Sequence, residues 1–262
     1  MTIAFYLPGG VPVYAFTLIL ALGATLGLLW VAWRAPDKEV LYYLDAGLLV
    51  LLGGLLGGRA VFVATNWVYY QSHLLEVFAV HRGGFSWTGA LVGGLLVLAL
   101  VAAISHTSLG VLADTMMPLL ATLTISGWLG CWLDGCAYGP RTDRWWGFPV
   151  MNEWGQTALR WPTQLLGAML TLALFWLLDL NHAWLEVRGR SPLPGIFAIL
   201  GVMLLSLEMF ALSYLRVDPS HMWNGFRLEA WVALGFAVLA ALVLAVSILL
   251  SRFGRRTDDS IK

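Results

Sequence analysis

Charge is scarce in this chain: Asp, Glu, Lys and Arg make up 11% of its 262 residues, too little to clothe a soluble domain of that size. Lipid must be the main solvent. Lys plus Arg (15) cancels Asp plus Glu (15), which removes the basic bias expected of a nucleic-acid-binding protein. Cysteine occurs only at Cys131 and Cys136, and two thiols alone cannot complete a zinc or iron–sulfur site. Residues five apart on a regular helix point in different directions, outside the ~7 Å Cα separation a disulfide tolerates, so the spacing predicts two inert buried thiols. The N-terminus has neither a basic n-region nor an A-x-A cleavage site, so the first apolar run reads as a retained span. No repeat or low-complexity tract stands out.

What the chain has is apolar length. Hydrophobic residues make up 60% of it and the mean hydropathy is +0.79. They fall in runs of about 20, the length of a helix that crosses a ~30 Å hydrocarbon core, and do not alternate at strand period. The runs are Val11 to Trp33, Leu41 to Trp67, Gly89 to Ser105, Val111 to Leu133, Pro162 to Leu180, Leu193 to Leu215 and Leu228 to Leu250. The expected fold is all-α: one polytopic transmembrane bundle over residues 1–262, with about seven helices and a large polar connection over residues 134–161. Arg34, Lys38, Arg188, Arg190, Arg252, Arg255, Arg256 and Lys262 collect on one side; Arg82, Arg141, Arg144, Arg160, Arg216 and Arg227 lie on the other. The first set sits in short connections and the tail, which predicts an external N-terminus and a cytoplasmic C-terminus. Tryptophans at run ends, such as Trp33, Trp67 and Trp161, read as interfacial anchors, and the LLGGLLGG and GALVGG stretches as close-packed helix contacts.

A charge inside the hydrocarbon costs at least ~2.5 to 3.5 kcal/mol on insertion scales, so each needs a partner or a function. Four positions qualify: Asp45, Arg59, Asp114 and Glu208. Arg59 follows Gly57 and Gly58, which clear space for a guanidinium able to hold a phosphate bidentately; the alternative is an ion pair with Glu208 or Asp114. Glu208 reads as an Arg59 partner. Asp45 and Asp114 read as helix caps or water-facing groups near an interface. His81, His106, His182 and His221 are placed in connections without metal-ligand spacing, and no metal or other cofactor is expected.

Tyr14, Leu56-Gly57-Gly58-Arg59 with Asn66, Gly89-Ala90-Leu91-Val92-Gly93, Asp114 with Pro118, Gly127-Trp128-Leu129-Gly130, Gly135-Cys136-Ala137-Tyr138-Gly139 and Arg160-Trp161-Pro162-Thr163-Gln164-Leu165 follow one another in an order that resembles the bacterial prolipoprotein diacylglyceryl transferases. The resemblance covers most of the chain, with the 135–139 stretch similar to a GCCYG variant of divergent members. It implies a multi-pass protein of the bacterial plasma (inner) membrane that moves diacylglyceryl from phosphatidylglycerol to the cysteine thiol of a prolipoprotein, releasing glycerol phosphate. Such chemistry needs a proton acceptor for the thiol and cations for the leaving phosphate. The resemblance assigns lipid binding to Arg59, Asn66, Arg160, Tyr14, Gln164 and Glu208.

The chain departs from that pattern where the chemistry is done. Thr88 stands at the place of the family's histidine base, Trp128 and Cys131 at an arginine and an asparagine, and Leu204 at an arginine four residues before Glu208. Threonine takes no proton near neutral pH. Two functions are therefore carried forward: a divergent transferase with impaired catalysis, or a non-catalytic lipid-binding subunit of a larger respiratory or photosynthetic membrane complex. Transport ranks below both, for want of inverted repeats or paired broken helices.

Overall fold

The computed structural model describes residues 2–8, 10–80, 83–189 and 192–259, with backbone alone for Leu7, Val11, Glu186 and residues 252–259. His81, Arg82, Arg190 and Lys262, and the side chains of Arg252, Arg255 and Arg256, lie outside the described part. A hairpin of β1 (Ile3–Leu7) and β2 (Val11–Tyr14) leads into α1 (Ala15–Arg34), α2 (Val40–Thr65) and the short α3 (Trp67–Tyr70). A 3-10 turn (Leu74–Phe78) precedes α4 (Trp87–Ile104), α5 (Leu109–Thr115) and α6 (Met117–Asp134). The hairpin of β3 (Phe148–Met151) and β4 (Thr157–Arg160), helices α7 (Thr163–Val187) and α8 (Ile196–Ser213), a small hairpin of β5 (Met222–Trp223) and β6 (Phe226–Arg227), and α9 (Leu228–Asp259) complete the chain.

Six of these helices are long and apolar enough to cross a membrane, and α5 with α6, bent by 44°, makes a seventh if the pair is one span. This is the polytopic helical bundle that the apolar runs predict. Helices satisfy their backbone groups internally, which apolar surroundings demand. The bend falls just before Pro118, which lacks an amide hydrogen and whose ring would crowd the carbonyl of residue 114 in a continuous helix. Between α2 and α4 the backbones touch: a methyl group on Gly57 would strike the Gly89 carbonyl, and one on Gly93 the Gly53 carbonyl. The glycine stretches thus make the close contact expected of them.

Each end of the bundle is tied differently. At one end Arg34 pairs with Asp179, and the Asp114 carboxylate accepts the Gly195 and Ala198 amides, both at 2.7 Å. Asp114 therefore caps a helix start, that of α8, where four amides lack intrahelical partners. Asp45 is exposed. At the other end the three hairpins gather: Thr2 N donates to Asp134 Oδ1 at 2.6 Å and Val217 N to the Tyr138 carbonyl at 3.0 Å.

Three short hairpins accompany the helices, because the polar connections pair their own backbone. Two expectations are corrected. His182 lies inside α7, not in a connection, since the helix runs past the apolar stretch to Val187. Cys131 and Cys136 form a disulfide, with Cα atoms 4.7 Å apart. The helix geometry assumed for them ends at Asp134, and Gly135, at φ 74°, turns the chain back.

Candidate functional site

Arg59 sits near the end of α2, 7% exposed, and points inward. Its partners are backbone carbonyls of the segment that follows: Nε donates to Val77 O at 2.9 Å, Nη1 to Gly83 O at 2.7 Å and Gly84 O at 3.1 Å, and Nη2 to Glu76 O at 2.5 Å. The Phe62 and Tyr70 rings face the guanidinium at 5.9 and 5.3 Å. Arg59, Phe62, Tyr69, Tyr70, Glu76, Gly83 and Gly84 line an open cavity of about 250 Å³. The ion pair with Glu208 or Asp114 is not formed: among the described residues Arg59 meets carbonyls, which the sequence cannot reveal because they carry no residue identity. Asn66 ends the same helix, its Nδ2 donating to Phe62 O at 2.9 Å.

A second corner lies where α6 gives way to the β3–β4 connection. Arg160, 5% exposed, is stacked on Tyr138 at 4.3 Å and has one long hydrogen bond, Nη1 to Gly139 O at 3.4 Å. Among the described residues its buried Nε has no hydrogen-bond partner. Gln164, fully buried, donates Nε2 to the Cys136 carbonyl at 2.8 Å, while its Oε1 has no partner among the described residues. Tyr138 donates its hydroxyl to Glu153 at 2.6 Å, and burial followed by Glu153 pushes its phenol up to about 12. Between Cys136 and Tyr138, Ala137 is held at φ 54°, a left-handed conformation that costs a non-glycine residue roughly 1–3 kcal/mol. Such a turn persists only where its surroundings over-determine it.

Deeper in the bundle, Glu208 accepts from Thr171 Oγ1 at 2.8 Å across α7 and α8, and its second oxygen has no partner among the described residues. The buried Trp128 N–H has no hydrogen-bond partner among the described residues. The ring of Trp128 covers Gly167, where any side chain would collide with it. Leu204, one turn before Glu208, is half-buried; Thr88 opens α4 with its hydroxyl 2.7 Å from Ser86 Oγ; Tyr14 sits at the N-cap of α1. No hydrogen bond or ion pair joins Arg59, Arg160 and Glu208 to one another among the described residues.

Arg216 and Arg227, cations of the same end, are paired with carboxylates of their own connection and of the first turn of α9. Arg216 grips Asp218 at 3.0 and 2.7 Å and reaches Glu229 at 2.9 Å, while Arg227 lies 3.1 Å from Asp218. Sequence reasoning missed this network, and it missed Thr171 and the rings of Phe62 and Tyr70; only Phe62, one helical turn after Arg59, had a signal in its spacing. Among the described residues no group of three His, Cys, Asp or Glu is placed to hold a metal ion.

A sequence model of the family described as prolipoprotein diacylglyceryl transferase matches residues 2–246. A phosphatidylglycerol–prolipoprotein diacylglyceryl transferase of Thermosynechococcus vestitus is 27% identical over 227 residues, covering 84% of this chain and 82% of its own. One of the same description from Dehalococcoides mccartyi is 28% identical, covering 90% and 88%. Another, from Oleidesulfovibrio alaskensis, is 31% identical, covering 74% and 68%.

Proposed function

The chain belongs to the prolipoprotein diacylglyceryl transferase family, and from that premise we propose that it binds phosphatidylglycerol but transfers its diacylglyceryl group to a prolipoprotein thiol slowly or not at all. The observation that carries the reading is Trp128: where the resemblance expects a cation, a buried indole lies on Gly167, and one oxygen of Glu208 has no partner among the described residues. A phosphate leaving group needs donors aimed at it, and removing one typically costs ~10² to 10³ in rate. Leu204 supplies no second cation, and Thr88 offers a hydroxyl where a base would take the thiol proton.

Arg160 is the group best suited to the lipid phosphate, because it is a buried cation with an unused N–H. Gln164, with a free carbonyl oxygen, suits a glycerol hydroxyl of the headgroup. Arg59, Asn66 and Tyr14 bear on a second region of the same end. The hairpin end faces outward from the bacterial inner membrane in this reading. The charge bias supports it, and so does the disulfide, which persists in an oxidising compartment. Membership of a larger complex gains no support from any described residue.

The test has two arms. Purified protein should retain phosphatidylglycerol, measured by mass spectrometry of extracted lipid. Expression in cells depleted of their own transferase should not restore lipoprotein modification, followed by gel shift. Full rescue would show that other residues perform the base and cation roles. The triple change Thr88→His, Trp128→Arg and Leu204→Arg should return measurable transfer.

A further inference from the structure

Arg216 and Arg227 border the corner that holds Arg160, and they are satisfied unequally. Arg216 is saturated: Nε and Nη2 hold both oxygens of Asp218, and Nη1 reaches Glu229. Arg227, 8% exposed, gives Nη1 to the Arg216 and Asp218 carbonyls, at 3.3 and 2.9 Å. Its Nη2 lies 3.1 Å from Asp218 Oδ2, outside hydrogen-bond geometry, and that oxygen already accepts from Arg216 at 2.7 Å. Its Nε has no partner among the described residues. Holding the connection thus uses one nitrogen of Arg227, and a buried guanidinium with idle donors is costly until an acceptor meets them.

Arg160 and Arg227 flank the same residue. The Arg160 guanidinium lies on the Tyr138 ring at 4.3 Å, and the Tyr138 carbonyl accepts the amide of Val217, the residue between the two whose carbonyls hold Arg227. Arg227 also ends the β5–β6 hairpin, whose two-residue loop, Asn224 and Gly225 at φ 51° and 81°, has the turn geometry that matches strand twist. Successive strand side chains point to opposite faces, so Phe226 is exposed and Arg227 buried. On the exposed face Trp223 and Phe226 meet the ring of Trp231, in the first turn of α9, at 5.6 and 5.8 Å. Aromatic rings exposed at a span end sit at headgroup level, which puts Arg227 at the depth of lipid phosphates.

We propose that Arg227 is the second cation of the lipid site, its Nε and Nη2 donating to the same headgroup phosphate as Arg160, where the resemblance expects cations at Trp128 and Leu204 instead. This rests on the reading above that phosphatidylglycerol is bound at Arg160. Adjacent N–H groups of one guanidinium match two phosphate oxygens, and two guanidinium groups can share one phosphate. Asp218 does not compete, because Arg216 holds both its oxygens.

The experiment uses the full chain in mild detergent, with phosphatidylglycerol, diacylglycerol, which lacks the phosphate, and inorganic phosphate as probes. Arg227→Gln should lower retention of phosphatidylglycerol about tenfold and leave that of diacylglycerol unchanged. Arg227→Lys, which keeps the charge without the fork, should recover part of the loss. Retention of phosphatidylglycerol by Arg227→Gln at the level of the unsubstituted chain overturns the proposal, and so does an equal loss of both lipids, the mark of a purely structural residue. Because a misfolded variant would also shed lipid, the unsubstituted chain is cross-linked to phosphatidylglycerol carrying a diazirine on its headgroup. Label is expected within residues 222–227 as well as beside residue 160, displaced by unlabelled phosphatidylglycerol but not by diacylglycerol or millimolar inorganic phosphate. An unlabelled hairpin overturns Arg227 as a ligand, and displacement by inorganic phosphate overturns the lipid as the source of the phosphate. A chain that retains no phosphatidylglycerol removes the lipid-binding reading itself; one that loses the lipid on Arg160→Leu and keeps it on Arg227→Gln removes only the role of Arg227.

Discussion

Arg59 and Arg160 are buried to nearly the same degree, 7% and 5% exposed, yet the structure uses them differently. Four carbonyl oxygens receive the donors of Arg59, so its charge is spent on fixing the segment that joins α2 to α4. Among the described residues Arg160 has one long hydrogen bond, a ring beneath it and an Nε without a partner. A buried cation without enough acceptors is costly unless something completes its shell. The pair teaches that an arginine in a motif can serve either the fold or a ligand, and that its unused donors distinguish the two.

The strongest way to break this contrast is Arg59→Leu. Removing the guanidinium leaves several carbonyls without their donor, at about 1–3 kcal/mol for each that water cannot reach, so a loss of roughly 3 kcal/mol or more is expected. Thermal unfolding in detergent should show it as a large drop in midpoint, with lipid loss following only from unfolding. If Arg59→Leu leaves the midpoint unchanged but strips the lipid, Arg59 is the ligand group and the contrast is inverted.

Gly57→Ala sharpens the same point without touching a charge. The added methyl meets the Gly89 carbonyl and must push α2 from α4, an overpacking cost of about 1–3 kcal/mol. It should lower the unfolding midpoint less than Arg59→Leu. Equal losses would mean that the seam between the helices, not the guanidinium, fixes this region.

Arg160→Leu should behave in the opposite way. It removes an incompletely satisfied donor set, so stability should change little, while retention of phosphatidylglycerol should fall about tenfold, equivalent to ~1.4 kcal/mol of binding. Quantifying co-purified lipid per mole of protein checks it. A variant that unfolds while retaining its lipid share would move Arg160 to the structural side.

Much of this was legible in the chain, and the part that was not has a physical pattern. The apolar runs give the spans because length and composition alone decide insertion, and the glycine stretches give the α2–α4 seam because nothing larger fits there. Asp114 reads correctly as a capping group, although its helix lies 81 residues away. The failures come from local geometry and from backbone partners. One left-handed residue, Gly135, converts an impossible disulfide spacing into a formed bond, and periodicity carries no sign of where a helix will stop. The Arg59 acceptors are carbonyls, so a search among acidic side chains pointed to Glu208 instead. Glu208 itself meets Thr171, a residue indistinguishable in sequence from other apolar-run threonines.

The smallest expected effect concerns the ring under Arg160. The Tyr138 phenol is pushed up to about 12 by burial and by its hydrogen bond to Glu153, against an ordinary value near 10 in the unfolded chain. The folded state therefore keeps a proton that the unfolded state releases between those two values, and linkage makes stability fall as pH rises through that window. The contribution is fully present below pH ~10 and is lost as pH approaches about 12. Tyr138→Phe retains the ring against Arg160 but has no proton to lose. Its unfolding midpoint should be slightly lower near neutral pH, from the missing hydrogen bond to Glu153, and should decline less steeply above pH ~10. Lipid retention should stay close to that of the unsubstituted chain, because the aromatic face is preserved while the hydroxyl points at Glu153. A phenylalanine variant that sheds its lipid while keeping its midpoint would show that the Tyr138–Glu153 hydrogen bond, and not the ring, holds Arg160 in place for the phosphate.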